Sequence, residues 1–271
     1  MLVSLKSKVV ATIMKYKKLL FGILFFVPYS LEALPLRIVS FNCNWGIAWH
    51  GIRASIARML KELNADIICL QEIPKKRHAR YLAKKLGMHR KSTKWHTGGM
   101  AIIAKRTIQD FIVKDIPKLE SNAFQNGVVA INIHNTWISC VHLTDLQYNI
   151  SDVERIRELT YILDALYNKT KTSSGNIILA GDFNDAQEES AMSALLESQG
   201  FVDTHKNKPW QRGTWIPATT VPERIDRIYS KGPFIVKSGR VIDETNIPWL
   251  QRKQWITGAD HRLIITELEM G

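Results

Sequence analysis

Six short stretches of this 271-residue chain end or interrupt apolar runs with side chains that a buried strand would not choose for packing. "FNCN" carries Asn42 and Asn44, "LQEI" carries Glu72 and "CVHLTD" carries His142. "AGDFN" carries Asp182 and Asn184, "RIDRIY" carries Asp226, and "GADHRLI" carries Asp260 and His261. Carboxylates and imidazoles are the groups of general acid–base catalysis, and carboxylates with carboxamides make an all-oxygen site for a hard cation. On an extended strand, residues i and i+2 face one side, so Asn42 with Asn44, and Asp182 with Asn184, are expected to point together.

Taken singly, each residue has an ordinary explanation. "GDFN" reads locally as a turn, with Gly181 bending the chain and Asp185 with Glu188 capping the next helix. A lone histidine such as His142 is more often a satisfied core or surface residue than a catalyst. Asp226 has Arg224 and Arg227 close by in sequence as partners for a structural ion pair. The recurrence of such residues at strand after strand is what points to a site, and the elements must then bring them together.

The elements alternate. Strands are expected over 36–44, 66–73, 100–105, 127–133, 136–143, the "NIILAGDFN" run, 224–229, 234–242 and 261–270, with a hairpin through Asn135. Ile52, Ile56, Met59, Leu60 and Leu63 share one helical face. "RHARYLAKKLG" is a basic helix stopped by Gly87. Ser151 and Glu154 form a capping box, with Val153, Ile156, Leu159, Leu163 and Leu166 on one side of the helix behind it. The pattern predicts one α/β domain with two layers of sheet and outer helices.

Composition limits the alternatives. Hydrophobic residues make up 45%, enough for a large core and far from a disordered chain. Three cysteines, Cys43, Cys69 and Cys140, lie in apolar runs without framework or zinc spacing, so buried free thiols are expected. The first residues combine Lys6, Lys8, Lys15, Lys17 and Lys18 with an apolar run from Leu19 to Tyr29 and the small residue Ala33. This is the layout of a signal peptide over residues 1–33, cleaved near Ala33, which predicts a secreted or periplasmic protein of residues 34–271. Without those five lysines and Glu32, the formal charge falls from +12 to +8. The balance is still basic and suits a polyanionic partner, although a soluble surface explains it equally well.

The order and local contexts of these motifs, with "GGMAIIA" between "LQEI" and "CVHLTD", resemble the endonuclease/exonuclease/phosphatase superfamily, the deoxyribonuclease-I-like fold. The resemblance spans about residues 36–268. One departure is Ala259, where serine or threonine is common before the Asp-His pair; it removes a supporting hydrogen bond and not a catalytic group.

The resemblance implies a two-layer β-sandwich flanked by helices, a four-layer α/β/β/α architecture, and metal-dependent hydrolysis of phosphate esters. It gives Glu72, Asn44 and Asp260 to a hard cation, Mg²⁺ first and Mn²⁺ second. Asp182 would orient or deprotonate the attacking water, Asn184 would hold that water or a phosphate oxygen, and His261 would bind the phosphate. Asp226 would fix the His261 tautomer, and His142 would donate to the phosphate or assist the leaving group. Asn42, Arg224 and Trp215 are the expected phosphate or substrate contacts.

The favoured substrate is nucleic acid, on net charge and on the cluster Lys75, Lys76, Arg77, Arg80, Lys84 and Lys85, which also reads as a solvated helix face. Trp95, Trp210, Trp215, Trp249 and Trp255, interleaved with Lys and Arg, suit base stacking, a lipid interface with an anionic or choline headgroup, or plain loop anchoring. A phospholipid or inositol-phosphate phosphodiesterase is the alternative within the enzymes. A catalytically inactive binding module is the alternative outside them, and a monomer is expected.

Overall fold

Strand β1 (Leu36–Asn42) is buried on both faces, and its residues divide between two different cores. Ile38 enters an apolar layer that also holds Val129, Ile138, Ile178 and Ile228, while Val39 and Phe41 pack with Ile56, Leu60 and Leu82. Strand β8 (Asn176–Asp182) alternates likewise: Ile178 and Ala180 go to the shared layer, and Ile177 and Leu179 pack with Leu159, Leu163 and Leu196. A strand covered on both sides reads as a continuous apolar run, which is why these segments were legible as strands.

These relations come from a computed structural model, which describes residues 35–48, 50–93, 99–117, 127–145, 152–170, 175–206, 213–214, 223–242 and 260–271. Pro35–Gly271 form one compact body. The expected signal peptide, Ser151, Ala259, Trp95, Trp210, Trp215, Trp249 and Trp255 lie outside the described residues. No helix among the described residues is long and apolar enough to cross a membrane.

The strands, in chain order, are β1, β2 (Ile67–Ile73), β3 (His89–Ser92), β4 (Gly99–Ala104), β5 (Asp110–Asp115), β6 (Gly127–Ile133), β7 (Thr136–His142), β8, β9 (Val202–Asp203), β10 (Asp226–Lys231), β11 (Phe234–Ile242) and β12 (Leu263–Met270). They make two six-stranded sheets, β11-β12-β1-β2-β4-β3 and β5-β6-β7-β8-β10-β9. Helices α1 (His50–Glu62) and α2 (Lys76–Leu86) supply the apolar layer over the first sheet, and α3 (Asp152–Thr170) and α4 (Ala191–Ser198) that over the second. Three apolar layers separate four layers of structure, as the α/β/β/α expectation requires.

Each sheet has one parallel pair near its centre, β1 with β2 and β7 with β8. Each pair is joined through a helix, α1 or α3. Parallel strands end on the same side, so Asn42, Glu72, His142 and Asp182 come to one edge. The antiparallel neighbours β10 and β12 start at that edge, bringing in Asp226 and His261. His142 is the register partner of Asp182, and Asp182 of Asp226.

Local details both match and correct the sequence reading. Gly87 ends α2 in the left-handed conformation (φ 67°), and His134 and Asn135 make the expected hairpin with φ of 48° and 59°. All three cysteines are buried free thiols. Val153 is 70% exposed, and the inward face of α3 instead includes the buried Arg155 and Glu158. Asp185 and Glu188 do not cap α4. Ser190 does, accepting from the Ser193 amide and forming a capping box with it. Asp185 accepts from the Gln187 amide and the Ser190 hydroxyl.

Gly181 is not a turn residue either. It lies inside β8, and a Cβ there would stand 1.9 Å from the Val141 carbonyl oxygen on β7. Backbone, not a flexible side chain, occupies that space, so the parallel pair would have to part. Gly181→Ala is expected to cost about 3 kcal/mol of stability through overpacking. Urea denaturation checks this, and an unchanged midpoint would mean that the strands open freely.

Candidate active site

The site begins with one buried carboxamide. Asn42, at the end of β1, donates from Nδ2 to Asp182 Oδ2 at 2.9 Å and to Glu72 Oε1 at 3.0 Å. Its Oδ1 accepts the Asn44 amide at 2.9 Å. It is fully buried, so its role in the polar floor is to hold two carboxylates from different sheets. His142 approaches the same pair, with Nε2 3.7 Å from Glu72 Oε1 and 4.0 Å from Asp182 Oδ2.

Opposite them stands an imidazole–carboxylate pair. His261 Nδ1 is 2.9 Å from Asp226 Oδ2. The other ring nitrogen, Nε2, is 3.7 Å from Asp182 Oδ2 and 3.7 Å from Asp260 Oδ1. Asp226 is therefore not paired with Arg224 or Arg227 in the way its sequence neighbourhood allowed. Burial alone would lower the His261 pKa, but the charges of Asp226 and Asp182, the hydrogen bond to Asp226 and the charge of Asp260 push it up to about 10. The ring is thus held as an imidazolium with Nε2–H aimed into the cluster. Burial raises the Asp182 pKa, against the lowering pull of His261.

The backbone at this edge is unusual. Of the seven described non-glycine residues with positive φ, four adjoin the cluster: Asn44 (φ 36°), Trp45 (φ 59°), Glu72 (φ 54°) and Asn184 (φ 51°). Such conformations persist where the surroundings impose them. Glu72 lies in a register irregularity of β2 between Leu70 and Ile73, which re-aims its carboxylate out of the sheet. Asn44 and Asn184 both lie beyond their strands, so the i, i+2 rule does not describe them. Each instead closes a turn, its amide bonded to the side chain two residues earlier, and Asn184 Nδ2 donates to the Leu143 carbonyl at 2.7 Å.

Arg224 corrects an expectation. It is 3% exposed, with Nη1 2.6 Å from Asp203 Oδ2 and Nε 3.0 Å from Glu188 Oε1, so its guanidinium is committed to a buried ion network and not to substrate. Trp215 lies outside the described residues.

Three supporting side chains have roles that the sequence reading does not assign. Arg155 donates to the Asn184 carbonyl, and Arg227 donates to those of Asp185 at 3.0 Å and Gln187 at 2.8 Å. Glu158 accepts from the amide and hydroxyl of Thr144, at 2.8 and 2.7 Å, fixing the chain just after His142. Buried charges on the inner face of a helix or strand are the signal that could have found them.

The donor set fits a hard cation. The side chains of Glu72 and Asp260 are 22% and 34% exposed, and the Asn44 carboxamide stands one residue before Trp45, whose amide donates to the Glu72 carbonyl. Asp260 Oδ1 is buried without a hydrogen-bond partner. Asp182, Asp226 and His261 also bring ligand atoms within 4.8 Å of one another. His261 Nδ1 is engaged with Asp226, however, so that trio reads better as a hydrogen-bonded proton-holding unit than as a metal cage.

Comparison with known proteins agrees with this architecture. The model of the Endonuclease/Exonuclease/phosphatase family matches residues 39–261. A family member from Bacteroides thetaiotaomicron superposes with a TM-score of 0.68 at 16% identity, over 88% of this chain and 95% of its own. A mannosyl-6-phosphatase from Bacteroides thetaiotaomicron gives 0.65 at 17% identity, over 86% and 99%. TDP2 from D. rerio, complexed with a single-strand DNA product, gives 0.64 at 18% identity, over 87% and 99%. No curated protein matches the sequence. Members of the family are phosphoester hydrolases that generally depend on a divalent metal, and the match from the first sheet's core strand to His261 shows that this chain belongs to the endonuclease/exonuclease/phosphatase family.

Proposed function

We propose that this protein is an exported, Mg²⁺-dependent phosphodiesterase that cleaves nucleic acid in the manner of a deoxyribonuclease. The observation that carries the chemistry is the convergence of Glu72, His142, Asp182 and His261 on one partly open point, with Asn42 and Asp226 buried behind them. Phosphoryl transfer depends mainly on positioning and on stabilising charge at the phosphoryl oxygens. Asp182, held by Asn42 and the Asn184 amide, orients the attacking water and accepts its proton. His261, kept charged by Asp226, donates from Nε2 to a phosphoryl oxygen. His142 stands on the β7 side of Asp182, where it serves the phosphate or the leaving group.

Glu72, Asn44 and Asp260 are the residues that would hold the cation. When bound, it neutralises charge on the phosphoryl and leaving oxygens. Oxygen-only donors favour Mg²⁺, with Mn²⁺ next.

Nucleic acid is favoured as substrate by the basic balance of the chain. Lys75, Lys76, Arg77, Arg80, Lys84 and Lys85 are all exposed on and beside α2, whose opposite face buries His78, Ala79, Leu82 and Ala83. That helix begins four residues beyond Glu72, so the cations of its first turn follow the site closely in the chain. The DNA-bound TDP2 among the similar structures is in keeping with this, as the mannosyl-6-phosphatase is with phosphate-ester chemistry at large. Export is supported by the n-region lysines and the apolar run before Ala33.

Protein recovered after expression of the full chain should nick supercoiled plasmid with Mg²⁺ and not with EDTA. Turnover of mannose 6-phosphate, phosphoinositide or sphingomyelin without DNA cleavage would move the substrate to that class. A mature N-terminus before residue 20 would refute the cleaved leader.

A further inference from the structure

We propose that Trp45 is the substrate-recognition residue of this site, its indole stacking on a nucleobase beside the scissile phosphate. The inference rests on the nuclease reading and adds to it a named contact.

Several large aromatic side chains among the described residues are put away. Phe41, Phe183, Phe201 and Tyr229 are at most 2% exposed, and Trp137 is 5% exposed. Trp45 is 40% exposed and sits at the site edge, directly after Asn44. The other exposed aromatic among the described residues, Phe111, lies on the edge strand β5, where the Lys91 ammonium covers its ring at 3.3 Å.

The backbone of Trp45 is fixed although its ring is exposed. Its amide donates to the Glu72 carbonyl at 3.3 Å, and its carbonyl accepts the Ala48 amide at 2.9 Å, starting the 3₁₀ turn Gly46–Ala48. Its φ of 59° is uncommon for a bulky residue. The backbone that carries this ring is thus already ordered beside Glu72, so only the side chain is left to order on binding.

The chemistry of the ring selects its ligand. An indole face carries partial negative charge and takes a cation or a flat uncharged group, not a phosphate; in a nucleic-acid strand, which has no cation, that group is the base. Bases stack on aromatic side chains whatever their sequence, while cations grip the flanking phosphates. Exposed Lys75 and Lys76, at the start of α2 and three and four residues after Glu72, supply such cations.

The test compares wild type, Trp45→Phe and Trp45→Ala. In EDTA, binding of a labelled oligothymidylate and of an abasic oligonucleotide of equal length is followed by fluorescence anisotropy. The alanine variant should bind oligothymidylate about tenfold more weakly, with phenylalanine restoring most of the loss and abasic binding equal in all three. With Mg²⁺, KM on oligothymidylate should rise by about the same factor in the alanine variant at nearly constant kcat. Equal oligothymidylate affinity in wild type and alanine variant overturns the proposal. So does an equal loss on the abasic chain, or no binding of either oligonucleotide by wild type. Absence of cleavage by wild type, with the base-dependent binding loss intact, would overturn the nuclease reading alone.

Discussion

Asp182→Asn should leave the protein folded and lower kcat/KM by about 10³-fold, the scale of a lost general base. Both Asp182 oxygens accept from N–H donors, Oδ2 from Asn42 Nδ2 and Oδ1 from the Asn184 amide. An asparagine can satisfy only one of them, whichever way its amide is turned. The unmatched donor costs about 1–3 kcal/mol. Against this, the substitution removes a carboxylate that is 1% exposed and whose ionisation burial opposes. The two effects offset, so far-UV circular dichroism should be unchanged and the melting temperature should move by only a few degrees. Activity has no such offset, because a neutral amide neither takes the proton of the water nor balances the charge of His261. A variant that is unfolded at neutral pH would make Asp182 a structural residue. A folded variant with wild-type turnover would remove it from the chemistry.

The sequence shows parts of this arrangement for definite reasons. Strands buried on both faces, such as β6 and β8, appear as apolar runs because nothing else tolerates that environment. Strands β3 and β5 do not, since "HRKS" at one sheet edge and "DFIVKD" at the other keep most residues partly or fully exposed. The polar strand ends were visible as residue types. Their roles were not, because those depend on partners distant in sequence: Asn42 on Asp182 across 140 residues, and His261 on Asp226 across 35. The pairing of Asn44 with Asn42 and of Asn184 with Asp182 was read as a shared strand face. The left-handed turns make it a local hydrogen bond instead. Arg224 looked like a phosphate ligand because an arginine's carboxylates, here Asp203 and Glu188, cannot be assigned from one chain of letters. Gly181 looked like a bend because the crowding that demands it comes from β7.

Asp226→Asn should release the His261 proton and with it the pH behaviour of the apoprotein. The asparagine Oδ1 can still accept from Nδ1–H, so the ring keeps its orientation, but the strongest raising influence on its pKa is gone. In EDTA, the His261 ring signals should titrate near 10 in wild type and well below that in the variant. The stability consequence has a fixed sign. A histidine whose folded pKa lies above its unfolded value of about 6.5 contributes stability fully below pH 6.5 and loses it as pH rises towards the folded pKa. Wild type should therefore weaken between about pH 6.5 and pH 10, by at most about 5 kcal/mol at 1.4 kcal/mol per pKa unit. In Asp226→Asn the slope over the same window should flatten. Turnover should fall by about 10²-fold or more at neutral pH, where His261 would no longer be held fully charged to meet the phosphoryl oxygen. A wild-type His261 titrating near 6.5, or equal pH slopes in the two proteins, would show that Asp226 orients the ring without setting its charge.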